Sequence, residues 1–184
     1  KLYFESVEKA EATNPIDDKT NRLLRLGDVV HEDIQNSLTR THYNNIYNND
    51  IYNNPNNKEK EIKDKEKDIE FHTEGELTIP ELNVRGFYDI VAVEDDDGRV
   101  YLYDIKSAAS YSWSKMFGHS VNNSFHNYKL QLGTYGYAIK QQFGRLDGMY
   151  LFFYNKNNSD IKNVFVPDSY TDLAYNYWNN INIE

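Results

Sequence analysis

The chain has 184 residues, 39% of them hydrophobic and 15% aromatic, enough for one domain whose core leans on Tyr and Phe. Its net charge of -9 is the wrong balance for a protein that holds nucleic acid through a broad basic surface, though it suits clustered carboxylates that bind cations. The absence of cysteine excludes disulfides, thiolate zinc sites and cysteine-held iron–sulfur clusters, and no apolar run approaches the roughly 18 residues of a membrane span.

No signal-peptide pattern opens the chain, so an intracellular, cytoplasmic place is expected, with an organelle or a virus-infected cell also open. The opening KLYFES resembles a protease-tag remnant and is set aside. From about Asp18 to Thr41, Leu23, Leu26, Val30, Ile34 and Leu38 recur at helical spacing, with His31 beside the stripe and Gly27 one turn earlier. Residues 44–68 repeat IYNN and then alternate Lys with acids. That composition is too poor in apolar groups to offset the cost of ordering, and it predicts a flexible insertion in an otherwise single domain over 1–184.

The period then changes to two. IEFHTEGELTIPEL, NVRGFYDIVAVE and RVYLYDIKSA predict three successive strands, with a tight turn at DDDG between the last two. A polar, irregular stretch is expected from Ser110 to Asn123. A second helix follows from about Phe125 to Phe143, with Tyr128, Leu132, Tyr135, Ile139 and Phe143 on one stripe. GMYLFFYNK and IKNVFVPD predict two more strands, and DSYTDLAYNYWNNI a closing helix. The order points to the α/β class, a mixed sheet flanked by helices.

Asp104 and Lys106 lie two apart at the end of the third strand and so share a face. Alone, such a pair reads as an exposed ion pair worth under about 1 kcal/mol. The hairpin, however, folds this strand back beside Asp89 of GFYD, so that two carboxylates approach across neighbouring strands. Close carboxylates repel unless a proton or cation lies between them, and Mg²⁺ or Mn²⁺ accepts such oxygens together with water and phosphate. Lys106 would then steady an attacking water or offset charge building on a phosphate.

GFYD followed by DIK resembles the core motif of the PD-(D/E)XK nucleases, in which a strand Asp precedes an acid-x-Lys on the adjacent strand. GDVVHEDIQ places His31 on the preceding helix, as in RecB-type members, and QLGTY resembles their Q-x-x-x-Y motif through Gln131 and Tyr135. The resemblance runs from about Leu24 to Tyr154. It groups the chain with the RecB nuclease domain, the CRISPR-adaptation and mitochondrial genome maintenance exonucleases and their phage relatives. It implies a restriction-endonuclease-like fold and a metal-dependent deoxyribonuclease. His31, Asp89, Asp104 and the Ile105 carbonyl would hold Mg²⁺ or Mn²⁺, and Gln131 and Tyr135 would reach DNA or brace the site. Glu76 stands for the acid that this group often has one strand earlier.

The family further implies exonuclease action on DNA ends or single strands in replication, recombination or repair, alongside the proteins of those processes, with 5′-phosphate products. Many relatives carry four cysteines around an iron–sulfur cluster, which this chain cannot build. Its second acid is Asp where many relatives have Glu. The alternatives are a non-catalytic module that binds DNA ends, and a restriction-type endonuclease. His42, His72, His119 and His126 are expected to be structural, as are Tyr137, Trp113 and Trp178. Gly86 is expected to permit close packing near Asp89, and Arg85 is assigned no role.

Overall fold

A computed structural model of the chain describes residues 21–38 (apart from Leu23), 69–118 and 125–183. The expected insertion at 44–68, His42 and His119 lie outside these residues. We label the helices α1 (21–38), α2 (Ser110–Phe117), α3 (His126–Phe143) and α4 (Ser169–Ile183). The strands are β1 (Ile69–Ile79), β2 (Val84–Glu94), β3 (Val100–Ala108), β4 (Gly148–Asn155) and β5 (Ile161–Val166). They form one five-stranded sheet in the order β1-β2-β3-β4-β5. β1–β2, β2–β3 and β4–β5 pair antiparallel, whereas β3–β4 pair parallel across the α3 crossover, so the sheet is mixed as predicted.

The DDDG turn closes where expected. Glu94 accepts from Gly98 N–H and donates to Arg99 O, each at 2.9 Å, while Gly98 takes φ +63°, which glycine adopts without steric penalty. The middle of the sheet is apolar: Leu102, Ile105, Leu151 and Phe153 are fully buried, and α3 adds Leu132 and Ile139. Each such side chain contributes about 1.5–3 kcal/mol by leaving water.

Two elements differ from the sequence reading. PEL, read as the end of the first strand, forms a short 3-10 turn at Pro80–Leu82, because proline cannot donate to a strand ladder. The stretch from Ser110, expected to be irregular, is helical to Phe117. Its Trp113, Met116 and Phe117 fall three and four apart and turn one face to the core, Trp113 being 9% exposed and Phe117 meeting Phe153 edge-on at 5.1 Å.

α3 and α4 approach closely at Gly133, where an added Cβ would overlap the Tyr170 carbonyl. Backbone cannot step aside as a side-chain tip can, so Gly133→Ala should destabilise the fold by about 1–3 kcal/mol. In a protein of this size that is a fall in melting temperature of about 3–10 °C. A thermal melt checks it; an unchanged midpoint would mean that the two helices are not held this tightly.

Candidate active site

Pairing between β2 and β3 runs from Val93↔Val100 to Ile90↔Tyr103 and stops there. The next positions on the two strands are Asp89 and Asp104. β3 keeps its parallel partner, with Asp104↔Leu151 and Lys106↔Phe153 still in register, so the sheet forks between β2 and β3. Asp89 fills the fork: its Oδ2 accepts from Ile105 N–H at 2.6 Å in place of a strand partner. In an extended strand the N–H and C=O of one residue leave on the same edge, so the Ile105 carbonyl opens on the fork as well.

Asp104 is 3% exposed, and its buried Oδ2 has Lys106 Nζ 2.7 Å away. That 2.7 Å contact pairs the ammonium with the carboxylate directly. The ion pair that the sequence offered as the simpler reading therefore exists, yet it is buried rather than exposed. Burial pushes the Asp104 carboxyl up to about 6; Lys106 opposes that rise and the Asp89 charge adds to it. Burial also raises Asp89, against the Ile105 N–H and Lys106, which favour its charged form. A cation between the two carboxylates would relieve both.

α1 crosses over the fork. His31 Nδ1 lies 4.0 Å from Asp89 Oδ2, and burial, followed by the charge of Lys106, lowers the imidazole below its ordinary value. His31 is thus neutral near pH 7, the form that binds metals. Gln35 is 8% exposed and more buried than the apolar stripe around it, since Leu26 is 43% exposed. Its amide donates to Glu74 Oε1 at 2.7 Å and to the Asp89 carbonyl at 3.2 Å, which fixes α1 against β1 and β2.

α3 supplies the opposite wall. Gln131 Oε1 accepts from Lys106 Nζ at 3.1 Å, and its Nε2 donates to the Tyr135 hydroxyl at 3.1 Å. Tyr128, one turn earlier, sets its ring 5.3 Å from Nζ. The structure thus brings together His31, Asp89, Asp104, Ile105, Lys106, Gln131 and Tyr135. Gln131→Ala removes the side-chain acceptor that holds Lys106 on the side away from Asp104, at an exposed position. Cleavage by that variant should fall about tenfold with little change in melting temperature; an unchanged rate would make the contact incidental.

Glu76 is not part of the site. It pairs with Arg85 at the surface, 2.7 Å from its Nε. The acid on β1 that reaches the site is Glu74, whose charge acts on both His31 and Asp89. It stands opposite Asp89, between the pairs Thr73↔Ile90 and Gly75↔Tyr88, with φ +53°. Glu76 was chosen by its likeness to the family's acid one strand earlier, and Glu74, two residues before it, is of the same residue type and on the same side of a regular strand. Gln35 and Tyr128 were also missed. Gln35 carried no sequence signal, and Tyr128 was placed only on the helix's apolar stripe, where it is 42% exposed.

The remaining assignments are structural. His72 pairs with Glu70 and packs on Phe143, and His126 contacts Tyr170. Tyr137 donates to Glu81 and lies against Tyr175. Gly86 admits the Tyr135 ring, 3.2 Å from where a Cβ would stand. Among the described residues no three acidic or imidazole groups converge into a ready metal cage. Mg²⁺ does not require one, since it takes one or two carboxylates and completes its shell with water and phosphate. The buried Asp104 carboxylate, near enough to Asp89 for the two charges to repel, fits that demand.

A search of curated protein sequences finds no match. Among solved structures the chain is similar to a Eubacterium rectale protein provisionally named an exonuclease, at 18% identity and TM-score 0.40 over 58% of this chain and 41% of that one. The match therefore spans less than half of that protein. The chain is also similar to SSO0001, at 14% identity and TM-score 0.46 over 100% of this chain and 70% of that one. Likenesses this weak carry no functional argument. The model of the PD-(D/E)XK nuclease superfamily, by contrast, matches residues 8–174. That span takes in all five strands, the α1 histidine and the α3 wall, on a restriction-endonuclease-like mixed sheet, and the chain belongs to the PD-(D/E)XK nuclease superfamily.

Proposed function

We propose that the protein is a metal-dependent deoxyribonuclease that removes nucleotides from DNA ends or single strands, in the manner of RecB-type exonucleases, in replication, recombination or repair. The observation that supports this most strongly is the buried Asp104 carboxylate, repelled by Asp89 and paired with Lys106 at the fork of the sheet.

Asp89 and Asp104, with His31 and the Ile105 carbonyl, would hold Mg²⁺ or Mn²⁺. When bound, such an ion supplies Lewis-acid polarisation of a phosphoryl oxygen and lowers the pKa of water. The chain's own residues do the rest. Asp89 is fixed by Ile105 N–H, and Lys106 is held between Asp104, Gln131 and the Tyr128 ring, so neither side chain must reorganise as charge develops on the phosphate. The Lys106 ammonium orients the attacking water or offsets that charge. Neutral His31 adds a ligand without adding negative charge.

The test is a substrate panel with Mn²⁺: linear single-stranded DNA, linear duplex and covalently closed circular duplex, each end-labelled or stained. Loss of the linear substrates with the circle left intact is the expected result. Cleavage of the circle would replace the exonuclease with an endonuclease on the same core. No cleavage of any substrate, with binding to DNA ends retained, would favour a non-catalytic end-binding module.

A further inference from the structure

A groove of about 470 Å³ adjoins the fork, bounded by the turn into β2, by α3 and by α4. Its volume lies within the roughly 300–1,000 Å³ of pockets that enclose small organic groups. Gln131 and Tyr135 belong to both places: they brace Lys106 on one side and line the groove on the other. Gln131 and Tyr135 are thus the wall that the groove shares with the fork.

The lining has a definite chemistry. Leu130, Tyr135, Tyr177 and Trp178 give apolar and aromatic walls, while Asn83, Arg85, Asn127 and Gln131 bring amide and guanidinium groups. Among the described residues no carboxylate lines it, although the chain carries 29 acidic residues and a net charge of -9. Tyr177 is 47% exposed, so its ring is open to a partner. Trp178 donates its indole N–H to Thr134 Oγ1 at 2.9 Å and meets the Tyr177 ring edge-on, with 5.4 Å between centroids. The indole does pack, as the sequence suggested, and that packing fixes it as a rigid wall.

Flat aromatic walls suit any base, because every base has a π-face, and amides can both donate to and accept from a base edge. A paired base stacked inside a duplex could offer neither its face nor its pairing edge. We propose that this groove seats an unpaired nucleobase of the strand whose phosphate lies at Asp89, Asp104 and Lys106, and so gives the enzyme a preference for single-stranded ends. The proposal rests on the nuclease reading for the position of that phosphate. Arg85, already paired with Glu76, sits at the groove to meet the neighbouring backbone.

The chain has two tryptophans, and Trp113 is buried at 9% exposure, so a change in emission on ligand binding can be assigned to Trp178. Fluorescence titration in EDTA would use an oligothymidylate of about eight nucleotides and an abasic oligomer of the same length. Saturable quenching by the oligothymidylate, weak or absent with the abasic strand and abolished in Trp178→Phe, is expected. Tyr177→Ala, at an exposed position, should weaken the oligothymidylate about tenfold. Unmoved emission, equal quenching by the abasic strand, or full affinity in Tyr177→Ala would each overturn the proposal. Adding Mn²⁺ to the same samples separates the two ideas. Cleavage without quenching removes the groove and keeps the nuclease, whereas base-dependent quenching without cleavage keeps the groove as a nucleic-acid site and removes the nuclease.

Discussion

Lys106→Ala should lower metal-dependent cleavage by about 10²–10³-fold, the loss typical of removing one preorganised charge from a developing oxyanion. Lys106 Nζ is positioned from three sides, by Asp104 at 2.7 Å, by Gln131 at 3.1 Å and by the Tyr128 ring at 5.3 Å. An ammonium so held loses little freedom when a phosphate arrives. Its removal also withdraws the main influence that keeps Asp104 and Asp89 charged, after the Ile105 N–H in the case of Asp89. The Asp104 carboxyl should therefore titrate higher in the variant, and residual activity should require a more alkaline pH than wild type. Single-turnover cleavage across a pH series measures both effects. Equal rates in variant and wild type would remove Lys106 from the chemistry.

Asp104→Asn should abolish cleavage and, at the same time, stabilise the metal-free protein. The sign follows from the burial of the group. Burial pushes the folded carboxyl up to about 6, well above its ordinary 3.8, so the folded state holds this proton more tightly than the unfolded state. Stability from this group is fully present below the unfolded pKa and is lost as the pH rises through about 6, by about 3 kcal/mol in all. Asparagine keeps the shape without the charge and should recover up to that amount. Melting in EDTA should show no advantage for the variant near pH 4 and a midpoint about 5–10 °C above wild type near pH 8. Mn²⁺ should then raise the midpoint of wild type and leave the variant unmoved, because only a group that binds the folded state shifts it. A variant no more stable than wild type at pH 8 would mean that Asp104 is not charged against its surroundings.

The sheet was legible in the sequence because its strands alternate cleanly and its turn at DDDG is strong. α3 was legible because its stripe runs from Tyr128 to Phe143, over about four turns. α2 was not: eight residues are too few to display a period, and its serines suggested a loop. The site showed a similar division. Asp104 and Lys106 stood two apart on a strand, Asp89 faced them through the predicted hairpin, and Gln131 and Tyr135 came from the resemblance to the family's Q-x-x-x-Y motif. Glu74 did not stand out, because Glu76 two residues on is the same residue type and the family likeness pointed there, whereas Glu74 is singled out by standing opposite Asp89. Gln35 was hidden for another reason. Its importance lies in two hydrogen bonds to distant strands, and no local pattern announces those. The fork itself, which follows from where pairing stops after Ile90↔Tyr103, was beyond reach of a linear reading.

The central claim is that the fork holding Asp89, Asp104 and Lys106 cuts DNA with the help of a divalent cation. The most direct measurement is release of label from end-labelled single-stranded DNA with Mn²⁺, with Mg²⁺ and with EDTA, by wild type, Asp104→Asn and Lys106→Ala. Release by wild type that requires the cation and is lost in both variants, while Asp104→Asn melts no lower than wild type, is the predicted result. Release that persists in EDTA, or that survives in both variants, would contradict the account.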